Sequence, residues 1–165
     1  MKERIVSKAS PAAFAAVVAL GALLAGCGPP SAEEVAADKE EVRAFLAEYL
    51  PKMAEAYETG DTAPLEPYTT LKERETIKKQ VRDRARQGTI LAPELVRLEV
   101  EDVVTWSAVN AFVTTVEVWN LRVKATGSEA LVREALDQTN RVKYQLKREE
   151  GRWRVFGRQL QETFE

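Results

Sequence analysis

The sequence predicts an α+β fold in which N-terminal helices pack on a curved antiparallel sheet, and three observations carry that reading. Between residues 32 and 58 apolar side chains recur every three or four positions, the period of a helix with one buried face. From Leu95 onward the period drops to two, as in a strand with one wet face. The period-two runs are separated by short turns, which join neighbouring strands as hairpins and place the helices on one face of the sheet.

Each element follows from local chemistry. In the first helix Val35, Val42, Phe45, Leu46, Tyr49, Leu50, Met53 and Tyr57 form the apolar stripe, and Ser31 with Glu34 has the spacing of a capping box. Pro51 lacks an N–H, so a kink or a break near Ala47 is expected, and Thr59-Gly60-Asp61 ends the helix. Pro64 and Pro67 limit the next stretch to a turn. A second helix is expected over about 70–87, with Leu71, Ile77, Val81 and Ala85 inward and Gly88 as its stop. Its other face carries Lys72, Arg74, Lys78, Lys79, Arg82, Arg84 and Arg86. That reads as a solvated face, with contact to anionic lipid headgroups as the sharper alternative.

In the first strand Val96, Leu98 and Val100 alternate with Arg97, Glu99 and Glu101. The next run, residues 111–124, is apolar on both registers, with Trp119, Leu121 and Val123 on one and Phe112, Val116 and Val118 on the other. Residues 129–137 hold good helix formers, yet they continue the alternation that leads into Val142, Tyr144 and Leu146, so a long bulged strand is expected. Glu149-Glu150-Gly151 closes a hairpin into a last strand where Trp153, Val155 and Gly157 alternate with Arg152, Arg154, Phe156 and Arg158.

Composition narrows the function. The chain has 165 residues, no histidine and one cysteine, Cys27. Ser-His-Asp and Cys-His catalysis and the common zinc sites are therefore excluded. No cofactor or metal is expected. Cys27 ends an apolar run from Ala12 that is preceded by Lys2, Arg4 and Lys8, the layout of an export signal. Leu24-Ala25-Gly26-Cys27 resembles the lipobox of bacterial lipoproteins, which implies cleavage before Cys27 and a diacylglyceryl group on its sulfur. The alternative is an uncleaved membrane anchor, but fifteen residues from Ala12 to Gly26 are short for a span of roughly 20. The expected division is thus a signal over 1–26, a lipidated cysteine and tether over 27–32, and one domain over 33–165. With three basic residues and one acidic residue gone with the signal, the remainder of the 24 Lys/Arg and 26 Asp/Glu is net −4, which argues against nucleic acid. The resemblance implies the cell envelope; in the sorting habit of those lipoproteins an aspartate after the cysteine favours inner-membrane retention, and Gly28 stands there instead, which implies the outer membrane where two membranes exist.

The strand order and one motif resemble the NTF2-like superfamily. Tyr144-Gln-Leu-Lys-Arg148, then Glu150-Gly151, then Arg152-Trp153-Arg154-Val155 is similar to its terminal hairpin, and Ala56-Tyr57-Glu58-Thr59-Gly60-Asp61 to the exit of its first helix. Trp106 through Trp119 followed by this hairpin resembles the IMS-type subset found in chloroplast division proteins. The resemblance implies a bent sheet wrapped around the first helix to make a cone with a pocket at its wide end, and a superfamily that holds both enzymes and binding modules.

Tyr49, Met53, Trp119 and Tyr144 are the candidate pocket residues, with packing in the core as their alternative. For acid–base chemistry the carboxylates are Asp102 and Glu117, with a tyrosine as hydrogen-bond donor. The expectation for Glu117 is an outward charge on the sheet, because an unpaired buried charge is costly. The reading is a non-catalytic, lipid-anchored binding or scaffolding module for a protein or small apolar ligand, with a small isomerase- or dehydratase-type enzyme as the alternative. Outward Arg141, Lys143, Lys147 and Arg152 are expected to repel a twin copy, favouring a monomer or a hetero-complex.

Overall fold

A computed structural model describes residues 32–164, with side chains from residue 38. The expected signal, Cys27 and the tether lie outside the described residues, as does the Ser31–Glu34 cap. Helix α1 (Ala32–Thr59) is followed by a 3-10 turn (Ala63–Leu65), helix α2 (Leu71–Arg86) and four strands: β1 (Thr89–Ser107), β2 (Asn110–Ala125), β3 (Leu131–Glu149) and β4 (Arg152–Phe164). The strands form one antiparallel sheet in the order β1-β2-β3-β4, each joined to the next by a hairpin. The helices pack on one face of this curved sheet.

α1 supplies the centre of the core. Val42, Leu46, Tyr49, Leu50, Met53, Ala56 and Tyr57 are buried against Val113 and Trp119 of β2, Val142, Tyr144 and Leu146 of β3, and Trp153 and Val155 of β4. The helix runs through Pro51 without a break. Pro51 and Ala47 both face solvent, so water can take the Ala47 carbonyl that proline leaves unbonded.

α1 lies antiparallel to β1. Near its start Lys39 Nζ donates to the Glu101 carbonyl oxygen (3.2 Å), and near its end Glu58 pairs with Lys124, the register partner of Ile90. The chain then crosses the free edge of β4: the Thr70 N–H donates to the Val155 carbonyl (3.0 Å) and the Val155 N–H to the Tyr68 carbonyl (2.8 Å). This strap blunts one sheet edge.

Bulges correct the sequence reading in three places. β1 starts at Thr89, not Leu95, and its register shifts at Leu95/Arg97, so Val96 is the extra residue there and points to solvent while Leu95 and Leu98 turn inward. In β3 the shift opposite Trp119/Leu121 places Leu136 and Asp137 in a bulge, with Asp137 at φ 52°. Residues 131–137 are a bulged strand as expected, but Val132 and Leu136 lie outward and Ala135 lies on the side of Gln138. In β4 the shift between Gln145 and Leu146 sits opposite Val155 and Gly157, so Val155 and Arg158 share the inner face although they are an odd number of positions apart. In α2 the buried positions are Glu73 and Ile77, with Val81 partly buried; Leu71 and Ala85 are exposed. The inner face is rotated because Glu73 has an interior cation to meet.

The basic residues of α2 are largely paired, Lys79 with Asp83, Lys78 with Glu75 and Arg74 with Glu66. On the outer sheet face Arg141 meets Glu101 and Glu162, Lys147 meets Glu149, and Lys143 lies over the Phe112 ring. No helix among the described residues is long and apolar enough to cross a membrane.

Truncation should separate the closed core from the open rim of the cavity. Leu46→Ala, at a fully buried position, is expected to lower unfolding stability by about 2–5 kcal/mol. Leu160→Ala, at a position 58% exposed, should change it by about 0.5 kcal/mol or less. Urea unfolding of the two variants checks the order.

Candidate functional site

Between the second half of α1, α2 and the inner sheet face lies a cavity of about 640 Å³, open to solvent. That volume lies within the usual range for small-molecule sites, roughly 300–1,000 Å³. Met53 and Tyr57 come from α1, and Glu73, Gln80 and Arg84 from α2. Leu91 and Pro93 of β1, Glu117, Trp119 and Leu121 of β2, Asn140, Val142 and Tyr144 of β3, and Arg158 of β4 complete most of the wall.

Glu117 lies at its polar centre, 3% exposed. Oε1 accepts hydrogen bonds from Thr115 Oγ1 (2.8 Å) and the Tyr144 hydroxyl (2.7 Å), and Oε2 accepts from Trp119 Nε1 (2.8 Å). The expectation of an outward Glu117 is therefore corrected. The register of β2 explains it: Thr115, Glu117 and Trp119 are two residues apart, so a strand that turns Trp119 inward turns Glu117 inward too. Three donors offset part of the cost of burying this carboxylate. Burial, and then the charge on Glu117, push the Tyr144 hydroxyl well above the ordinary tyrosine range, so it remains an O–H donor to that carboxylate.

A second polar group closes the α2 side. Arg158 Nε donates to Glu73 Oε1 (3.2 Å), Nη2 reaches the Tyr57 hydroxyl and Gln80 Oε1, and Nη1 points at the Met53 sulfur. Tyr57 also donates to Gln80. Burial raises the Glu73 carboxyl above the usual range while Arg158 opposes the rise. Glu73 also stands in the first turn of α2, where the helix dipole favours a negative charge. Sequence reasoning missed Arg158 because strict alternation turns it outward; the bulge at Gly157 turns it in.

Of the sequence-predicted pocket residues, Met53, Trp119 and Tyr144 line the cavity. Tyr49 stands behind them, fully buried, with its ring edge-on to Tyr144 (centroids 6.5 Å apart) and its hydroxyl against the Met53 sulfur. Asp102 is exposed on β1, outside the cavity, so it is not a pocket carboxylate. No group of three or more Asp, Glu, Cys or His side chains among the described residues could hold a metal ion.

Helices packed on a curved four-strand antiparallel sheet, with a cavity between them, make this an α+β fold. The solved structure of the intermembrane space region of the chloroplast protein ARC6 has the same arrangement: TM-score 0.64 and 13% identity, over 74% of this chain and 95% of that one. At that identity the likeness is one of fold. An NTF-2 like protein of unknown function from Shewanella oneidensis MR-1 matches at TM-score 0.46 and 14% identity, over 72% of this chain and 98% of that one. A domain of unknown function with a cystatin-like fold from Nostoc punctiforme PCC 73102 matches at 0.40 and 19%, over 74% and 75%. No protein-family model matches the sequence, and no curated protein matches it.

The buried pair gives a signed pH prediction. Arg158→Leu leaves Glu73 buried without its cation, at an expected cost of about 3–5 kcal/mol at neutral pH. Burial already holds Glu73 above its ordinary value, and losing the cation raises it further. The folded variant then keeps a proton that the unfolded chain releases. The penalty relative to the parent is therefore full at pH 7 and shrinks as pH falls through the raised value. Unfolding both proteins in urea at pH 7 and pH 4 measures it; an equal penalty at both would refute the pairing.

Proposed function

We propose that this chain is a lipid-anchored lipoprotein of the bacterial cell envelope whose NTF2-like domain is a non-catalytic binding module that admits a small ligand with an apolar body. The observation that carries the binding reading is the cavity, whose apolar walls of Met53, Leu91, Leu121 and Val142 surround polar groups already hydrogen-bonded to one another. Such groups orient a ligand without reacting with it. The lipobox-like Leu24-Ala25-Gly26-Cys27 supports the anchor. The domain is proposed to act as a monomer or in a hetero-complex, and on the outer membrane where the host has two.

A second reading, an acid–base enzyme of the isomerase or dehydratase type, draws on one observation: a carboxylate inside a concave site, hydrogen-bonded to a tyrosine. Glu117 would be the base and Tyr144 the donor. Three donors already on its oxygens hold that carboxylate in place and compete with a substrate proton for its lone pairs.

Three measurements test these proposals. Intact mass of the membrane-extracted protein is expected to show an amino terminus at a diacylglyceryl-modified Cys27, with Cys27→Ser moving the chain to the soluble fraction; a species that keeps residues 1–26 overturns the anchor. A short aliphatic alcohol such as hexanol should raise the Tm of the full chain, and Leu121→Trp, which fills the cavity, should abolish the rise. Exchange of the α-protons of cyclohexanone with deuterated water should not exceed the buffer rate; acceleration that Glu117→Gln removes would favour the enzyme.

A further inference from the structure

The buried charges of the cavity do not balance. Two buried carboxylates, Glu73 and Glu117, face it, and one largely buried cation, Arg158. Arg158 is committed to Glu73, Gln80, Tyr57 and Met53. No lysine or arginine among the described residues comes within ion-pair distance of Glu117, whose three partners are the neutral Thr115, Trp119 and Tyr144. Arg84, also on the wall, lines in addition a neighbouring smaller pocket with Leu91, Leu121, Val123 and Arg133, and makes no ion pair with Glu117 among the described residues.

Neutral donors spread a carboxylate's charge but do not cancel it. In a poorly solvated interior that leaves a strong attraction for any cation able to enter. There is room on the carboxylate as well. It can accept about four hydrogen bonds and receives three, with Oε2 taking only one. Beside it stand Trp119 and Tyr144, aromatic residues of the kind whose ring faces attract ammonium groups; the Tyr57 ring is already taken by Arg158. Tyr144 keeps its proton, so it adds no second negative charge to the same corner.

We propose that the ligand of this cavity is a protonated or quaternary amine with a small apolar body, its cationic head against Glu117 and the aromatic rings and its body against Leu121 and Val142. This rests on the small-ligand reading above and gives that ligand its charge. An anionic ligand would meet Glu117 as a like charge, and a neutral one would leave the imbalance in place.

The test is a calorimetric titration of the purified full chain with three probes of equal chain length, hexyltrimethylammonium, hexanol and hexanoate, with a blank against detergent alone. The ammonium is expected to bind about tenfold tighter than either of the others, the factor a desolvated cation–π and carboxylate contact supplies. Glu117→Gln should bring the ammonium level with hexanol on the same variant. Hexanoate or hexanol binding as tightly as the ammonium overturns the proposal, as does a preference that survives Glu117→Gln. Binding of hexanol without that preference leaves the cavity reading intact and removes only the charge, whereas no binding of any probe removes both. The order of the probes on the unsubstituted chain decides the matter even where the variant does not fold.

Discussion

A negative charge held inside a small protein has to be answered by its surroundings, and the answer given to Glu117 organises this interior. Its partners come from two neighbouring strands: Thr115 and Trp119 flank it on β2, and Tyr144 reaches across from β3. Tyr144 is in turn fixed by the ring of Tyr49 on α1. The carboxylate thus ties the middle of the sheet to the central helix, and the polar network also keeps that part of the interior from closing into an apolar core. The space left beside it is the cavity.

Arg158 and Glu73 do the corresponding work on the other wall. A guanidinium with five N–H groups joins β4 to α1 through Tyr57 and Met53, and to α2 through Glu73 and Gln80. Because Glu73 must face this cation, α2 presents a charged residue to the interior and leaves Leu71 in solvent. A helix docked by an ion pair beside a cavity buries less apolar surface than one docked on a core, so α2 is bound to the sheet mainly through Ile77, Val81 and that pair.

Much of this was written in the sequence in plain periodicity. The three-and-four stripe from Val42 to Tyr57 gave α1 its buried face, and the turns at Ser107-Ala108-Val109, Thr126-Gly127-Ser128 and Glu150-Gly151 gave three hairpins. What periodicity conceals is a bulge. Alternation counts residues, while a bulge adds one without changing the face that follows, so alternation alone turns Arg158 outward and Leu136 inward although each lies in the expected strand. Glu117 is a different case. Its register with Trp119 was legible, but the cost of burying a charge argued against using it, and the donors that offset the cost come partly from a strand 27 residues away. Side-chain partners of that kind are a property of the folded sheet and leave no local signal.

The strap that hydrogen-bonds Tyr68 and Thr70 to Val155 has a bearing on crowding. In the lipid-anchored form proposed above, copies would be confined to a layer a few nanometres deep, where encounters between them are far more frequent than in free solution. An open strand edge in that layer would invite ladders of copies joined side by side. Here the terminal strand is already occupied along part of its length by its own chain, and the opposite edge strand is interrupted by register shifts at three points. Such a chain can be displayed densely on a surface without zippering to its neighbours.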